Sequence, residues 1–460
     1  MAEHHSLQES PQSGPPTARS PPAPDGLPVL DHTIGFLRDG IDFGNRMANH
    51  GDVVAFDAMG IPFVAVYDPA LVQQVLVDRS DEFRKGDYET AFGDLIAPDG
   101  LAFTEGEQWR RDRQLLQPAF TPRHIQSFAD TMVARTADAA ESWTAEGIVD
   151  LRQAASDLTL DILVGTLFDL DLDAERGQVV QAALDALDDR ISGLSMVAPG
   201  WLPTPAKRRF ERRMTDLDEM VDALIRERRR SGIEAEAGAD LLDTLLAAEY
   251  PDGSTMDAEQ VRDQLVTFLG AGHETTAVAL TYTLWLLAGD SAVRDRLDAE
   301  LEAVCGDADP SFADLPDLEY AEAVVKEALR LYPPVYAIYR QPIEDTILGG
   351  YELSADQTLV LGTYQIHRDS RWWDDPDAFR PARWLGDEDD SQDRPEYAYF
   401  PFGGGPRHCI GMRFARMELT LALATLARNL EFKRITENLS PSAEVTLDPG
   451  EVRIRVTSRE

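Results

Sequence analysis

The segment Phe402-Gly-Gly-Gly-Pro-Arg-His-Cys409-Ile-Gly411 sets one cysteine in a glycine-rich loop, two residues after an arginine. A thiolate is a strong metal ligand, but it must be held and kept deprotonated. Residues 411–430 are rich in Met, Arg, Ala, Glu and Leu, all good helix formers. Cys409 is therefore expected at a helix N-terminus. Free backbone N–H groups and the positive end of the helix dipole favour an anionic sulfur there. Gly403, Gly404 and Gly405 permit backbone angles that a side chain would forbid, and let the chain approach a flat ligand closely. The pattern suits a thiolate bound to a buried cationic metal better than it suits a structural cysteine in an ordinary turn.

Read as F-x-x-G-x-R-x-C-x-G, this loop resembles the haem-binding loop of the haem-thiolate monooxygenases, the cytochrome P-450 family. The resemblance implies that Cys409 ligates haem iron, that Arg407 pairs with a haem propionate, and that Phe402 and Gly403 belong to the cofactor loop. A thiolate ligand pushes electron density onto iron and favours O–O cleavage.

Further segments are similar to the family's in type and order. Ala271-Gly-His-Glu-Thr-Thr276 looks like its oxygen-binding segment, which implies Glu274 and Thr275 as the acid–alcohol pair that delivers protons. Gly272 lowers helix stability by about 1 kcal/mol relative to alanine, and a local opening of the helix is the expected reason. Trp109-Arg-Arg-Asp-Arg113 matches W-x-x-x-R, which implies propionate contacts from Trp109 and Arg113; Arg340 is expected to be a further one. Lys85 is a candidate that no motif fixes. Glu327-Ala-Leu-Arg330 puts two charges on one helix face. With Arg383, in Phe379-Arg-Pro-Ala-Arg383-Trp384, the resemblance implies a buried triad beneath the haem. One fatty-acid-oxidising branch of the family has a haem-linking glutamate where this chain has Ala271, so haem b is expected to be non-covalent.

These residues imply a monooxygenase that inserts one oxygen atom of O2 into a C–H bond of a lipophilic small molecule. Electrons would come from a separate partner, a ferredoxin or other electron-transfer protein, with Arg208-Arg209 and Arg212-Arg213 as basic docking patches. A haem-thiolate isomerase or peroxygenase and a haem-based sensor are the alternatives. The proton-relay pair argues against the first, because those reactions do not start from dioxygen.

Composition bounds the rest. The chain has 460 residues, 82 acids against 43 bases, and a net charge of −39. Only four bases are lysines: Lys85, Lys207, Lys326 and Lys433. Nucleic acid and anionic lipid are excluded as partners, and a halophilic protein from a high-salt cytosol is expected. There self-repulsion is screened over about 3 Å. The two cysteines, Cys305 and Cys409, allow no disulfide framework if one holds iron, which fits a reducing cytoplasm. No secretory signal is visible, and no apolar run reaches about 18 residues, so a cytoplasmic monomer without a membrane anchor is expected.

The elements that must position these residues read as mainly α with a small β-rich part, an α+β fold of one large domain over residues 29–460. Residues 1–28 are a proline-rich disordered leader. Helices are expected at Leu71–Val77, Gln108–Leu116, His124–Thr144, Leu158–Phe168, Val179–Ile191, Arg209–Arg230, Asp257–Ala288, Ser291–Val304 and Tyr320–Leu331. A hairpin is expected at Val53–Phe56 and Phe63–Tyr67, short strands near Thr346–Leu348 and Thr358–Gly362, and a last hairpin from Val445–Leu447 and Val452–Val456. Phe83–Phe103 and a lid at Ile191–Pro205 are expected to shape the substrate pocket, with Val335, Ala337 and Ile338 beside the haem.

Overall fold

The computed structural model describes residues 19–27, 31–168, 174–191, 204–231, 240–386 and 394–459. The lid expected at Ile191–Pro205 lies outside them except at its ends. The chain runs through α1 (Gly40–Ala48), the strands β1 (Val53–Ala58), β2 (Ile61–Val66) and β3 (Phe83–Arg84), then α2 (Asp87–Ile96) and α3 (Gly106–Leu116). A helical body follows: α4 (Ala129–Glu146), α5 (Leu151–Leu167), α6 (Ala174–Ile191), α7 (Pro205–Ser231), α8 (Ala258–Leu287), α9 (Ser291–Cys305) and α10 (Glu319–Leu331). Strands β4 (Ile338–Pro342) and β5 (Thr358–Leu361) precede the final helix, α11 (Met412–Asn429). The fold is α+β and mainly helical. Among the described residues no single helix is long and apolar enough to cross a membrane.

Helix α8 is the axis of the body. Its start is fixed by a capping box: the Asp257 carboxylate accepts from Gln260 N–H at 2.9 Å, and the Gln260 side chain accepts from Asp257 N–H at 3.0 Å. From Ala277 to Leu287 every residue is buried, which the continuous apolar run requires. The helix stays regular through Gly272. The opening expected at that glycine is replaced by a packing reason. A Cβ there would lie 2.8 Å from Leu163 Cδ1, so glycine lets α5 pack closely against α8. Thr275 and Thr276 donate their hydroxyls back to the Ala271 and Gly272 carbonyls, each at 2.9 Å, which satisfies both side chains without breaking the helix.

The larger sheet has the order β1-β2-β5-β4-β3, with β2 and β5 parallel and the other pairs antiparallel. It carries Arg340 on β4 and Lys85 just after β3.

Four expectations are corrected. The long helix at His124–Thr144 is broken: a turn of helix at Pro122–Gln126 precedes α4, and the Ser127 hydroxyl bonds back to His124 O at 2.6 Å in the gap. The last hairpin does not form. Arg453–Ser458 pairs with Leu430–Arg434 and Ile148–Asp150, while Leu447 and Asp448 pair with Ala443 and Ser442. Helix α2 was not anticipated within Phe83–Phe103. Gly86, at φ 90°, caps it, and Asp87 and Glu89 occupy its first turn, where acids suit the helix dipole. Within the proline-rich leader, residues 19–27 are docked. Arg19 N–H donates to Gly350 O at 3.1 Å, and Ala55 N–H donates to Pro22 O at 2.8 Å. Backbone pairing to strand edges offsets the polar composition.

Candidate active site

Cys409 lies between a short turn of 3-10 helix at Gly405–Arg407 and the start of α11. Its N–H donates to Phe402 O at 2.9 Å, which folds the loop back on itself. Gly405 takes φ 61°, and a Cβ on it would overlap the Leu76 carbonyl. Only glycine satisfies both constraints. The sulfur faces a cavity of about 360 Å³. Burial pushes the thiol pKa up, while the Gly411 N–H and Arg113 pull it down less strongly. A metal cation at Sγ would reverse that balance, because a coordinating thiol is deprotonated outright.

The cavity brings together Cys409, Phe402, Gly403, Arg407, Trp109, Arg113, Arg340 and Thr275. Lys85 joins them, and Val335, Ala337 and Ile338 form part of the wall. Most of the remaining wall is apolar, including Leu101, Phe120, Phe268 and Leu329. Arg407 lies over the Trp109 ring, 4.4 Å from its centroid, and donates to Thr104 O at 3.1 Å. Burial, together with Arg340, lowers its pKa to about 10. Arg113 donates to His408 O at 3.0 Å. Arg340 stands 3.6 Å from Glu89.

Four cationic side chains thus line the cavity against one acid, Glu89. A bare sulfur, apolar walls and this surplus of cations fit haem, a flat apolar macrocycle with two carboxylates and a thiolate-binding metal. Cys409 would hold the iron; Arg113, Arg340, Arg407 and Lys85, with the Trp109 N–H, line the same cavity and are the candidates for the carboxylates.

Glu274 is not brought into this cavity. It points away, where its carboxylate pairs with Arg152 and accepts from the Thr446 hydroxyl at 3.4 Å. Arg152 also holds Asp448 at 3.0 Å. Burial raises the Glu274 pKa, and Arg152 opposes the rise. Arg152, 122 residues earlier, carries no motif that could have announced it.

Beneath the loop, Glu327, Arg330 and Arg383 are almost fully buried. Arg330 donates to both Glu327 oxygens, at 2.9 and 2.7 Å, and Arg383 Nε donates to one of them at 3.0 Å. Sequence reasoning missed two further donors to the same carboxylate: Trp384 Nε1 at 3.0 Å and the Arg380 N–H at 3.1 Å. It also missed His367. Arg330 donates to its carbonyl at 2.9 Å, and its Nε2 accepts from Phe400 N–H at 2.9 Å. The network therefore reaches the strand of chain that leads into the Cys409 loop. Asn, Gln or His at such a position gives no periodic signal.

The chain is also similar to known proteins. A family model described as cytochrome P450 matches residues 21–454. Cyclooctat-9-en-7-ol 5-monooxygenase of Streptomyces melanosporofaciens is 36% identical over 88% of each chain. Pentalenene oxygenase of Streptomyces avermitilis is 32% identical over 95% of this chain and 97% of that one. Among solved structures, retinoic acid bound cyanobacterial CYP120A1 superposes with a TM-score of 0.85 at 26% identity, covering 96% of this chain and all of the other.

Proposed function

This chain belongs to the cytochrome P450 family and is a haem-thiolate monooxygenase; from that premise we propose that it hydroxylates a lipophilic small molecule of isoprenoid type, with electrons from a separate protein. The observation that carries this reading is that Thr275 and Cys409 line the same apolar cavity. The names of two relatives, cyclooctat-9-en-7-ol 5-monooxygenase and pentalenene oxygenase, support a terpenoid skeleton.

Haem, when bound, supplies dioxygen activation and the oxidising power. The chain's own residues do the rest. Cys409 binds the metal, and the helix start behind it favours the anionic sulfur. Arg113, Arg340 and Arg407 orient the macrocycle through its carboxylates, with Trp109 stacked behind Arg407. Apolar side chains exclude water and strengthen electrostatic interactions inside. The Thr275 hydroxyl holds a proton on the cavity side of α8. Glu274, clamped by Arg152, is the acid that restores it. Thr275 in the cavity favours dioxygen chemistry over the isomerase, peroxygenase and sensor alternatives, which need no such alcohol.

A ferredoxin-type donor fits the side of the molecule nearest Cys409. Arg110 on α3 and Arg413 on α11 are exposed there. The Arg208–Arg213 stretch is a weaker candidate, since Arg209 pairs with Asp189 and Arg213 with Asp216. The chain is read as a cytoplasmic monomer adapted to high salt, on the strength of its net charge of −39.

The deciding experiment is the carbon monoxide difference spectrum of the dithionite-reduced protein in high-salt buffer. A strongly red-shifted Soret band, lost in Cys409→Ala, is the expected result. A band typical of histidine-ligated haem in folded protein would remove the thiolate and the proposed reaction together.

A further inference from the structure

A second and larger cavity, of about 650 Å³, adjoins the first. It lies between α1, the sheet and α2, and its walls are largely aromatic: Phe36, Phe43, Tyr67, Tyr88, Phe92 and Tyr336 are among them. Five residues line both cavities and so form the neck between them: Lys85, Glu89, Ala102, Val335 and Ala337. Three are apolar. The other two are an ion pair, so the one strongly polar feature at the junction is Lys85 with Glu89.

This pair is held in place by the fold. Lys85 directly follows β3, whose Arg84 pairs with Gln341 of β4. The Gln341 side chain accepts from Asp87 N–H at 2.9 Å and thereby anchors the first turn of α2. Lys85 Nζ stands 3.4 and 3.3 Å from the two Glu89 oxygens. These distances are long for a charge-assisted hydrogen bond. Both groups therefore keep hydrogen-bonding capacity for a third partner at the neck. Burial lowers the Lys85 pKa, while Glu89 works to keep it charged.

We propose that the neck selects for a hydroxyl group: the substrate is a lipophilic alcohol whose hydroxyl donates to Glu89 and accepts from Lys85, with its carbon skeleton divided between the two cavities. This rests on the haem-monooxygenase reading above and narrows its substrate class. A hydroxyl both donates and accepts, so it satisfies both partners at once. A hydrocarbon makes neither bond. A carboxylate meets an unfavourable balance. Glu89 lies 3.6 Å from Arg340, and Glu105 lies 3.9 Å from Arg407. The two haem carboxylates with those two acids match the four cations Lys85, Arg113, Arg340 and Arg407 one for one, so a further carboxylate finds no unmatched cation.

The test is equilibrium dialysis of the haem-loaded protein against farnesol, farnesene and farnesoic acid, which share one skeleton. Farnesol is expected to bind on the order of 10-fold more tightly than either of the others. Glu89→Leu should bring farnesol down to the affinity of farnesene. Glu89→Gln keeps an acceptor but removes the repelling charge, and should raise the affinity for farnesoic acid. The idea is overturned if the wild-type protein binds all three ligands equally, or if neither variant changes their order. Because the wild-type series needs no variant, a misfolded variant cannot rescue the idea. The carbon monoxide spectrum separates the two failures. Without the red-shifted band the haem-thiolate reading falls; with the band but without discrimination only the hydroxyl selection falls.

Discussion

Glu274 and Thr275 are adjacent in sequence yet serve different sides of α8: Thr275 lines the cavity with Cys409, whereas Glu274 is turned outward into the grip of Arg152. One residue step rotates a helical side chain by about 100°, so the pair spans from the cavity to an ion-paired cluster behind the helix. On the proposed reading, proton supply is a two-part task. Thr275→Ala should uncouple the enzyme: electron consumption continues while product per electron falls, on the order of 10-fold or more. Glu274→Gln should slow electron consumption as well. Measuring product against reductant consumed, with substrate saturating, checks both; unchanged coupling in Thr275→Ala would remove that residue from the relay.

The carboxylate of Glu327 accepts from Arg330, Arg383, Trp384 and the Arg380 backbone. Replacing it removes the carboxylate that two buried guanidinium groups share. Glu327→Ala should cost about 3–5 kcal/mol of stability, read by denaturant unfolding, and should lower haem content at expression. Glu327→Gln should also destabilise, because an amide cannot neutralise either arginine. A loss below about 1 kcal/mol, the scale of an exposed ion pair, would contradict the network's role.

Burial lowers the pKa of His273 to about 4 and that of His367 to about 3. Both imidazoles are therefore neutral when folded and titrate near 6.5 when unfolded. Above about pH 6.5 neither state binds the proton and stability is unaffected. Below it the unfolded chain gains protons that the folded chain refuses, so stability falls as pH drops from about 6.5 toward 4. Each histidine contributes a slope of about 1.4 kcal/mol per pH unit in that window. His273→Gln should reduce the measured slope by about one proton. An unchanged slope would mean that His273 is protonated in the fold.

Ala271 lines the cavity on α8 and offers no carboxylate to form an ester with the cofactor. Acid–butanone extraction should leave the polypeptide colourless. Haem remaining on the chain after denaturation would show a covalent link through some other residue.

With a net charge of −39, self-repulsion should be relieved as the Debye length falls from about 10 Å at 0.1 M salt to about 3 Å at 1 M. The midpoint of thermal unfolding should rise steeply over that range. A flat response from dilute buffer upward would make the acidity unrelated to salt.

What could be read from the chain alone were relationships over short sequence distances. The cysteine loop, the one-turn spacing of Trp109 with Arg113 and of Glu327 with Arg330, and the apolar run that buries α8 each repeat or recur within a turn or two. Local geometry makes such signals nearly independent of the rest of the fold. The partners that act on them are long-range and carry no period. Arg152 reaches Glu274, Arg407 lies over Trp109, His367 ties Arg330 to Phe400, and Glu89 meets Arg340 only because separate elements converge. The final strand shows the same division. Alternation at Ile454 and Val456 announces a strand, but it is equally compatible with any neighbour. Only the packed body decides that Leu430–Arg434 and Ile148–Asp150 are its partners, because that pairing buries the apolar side chains against α4 and α5.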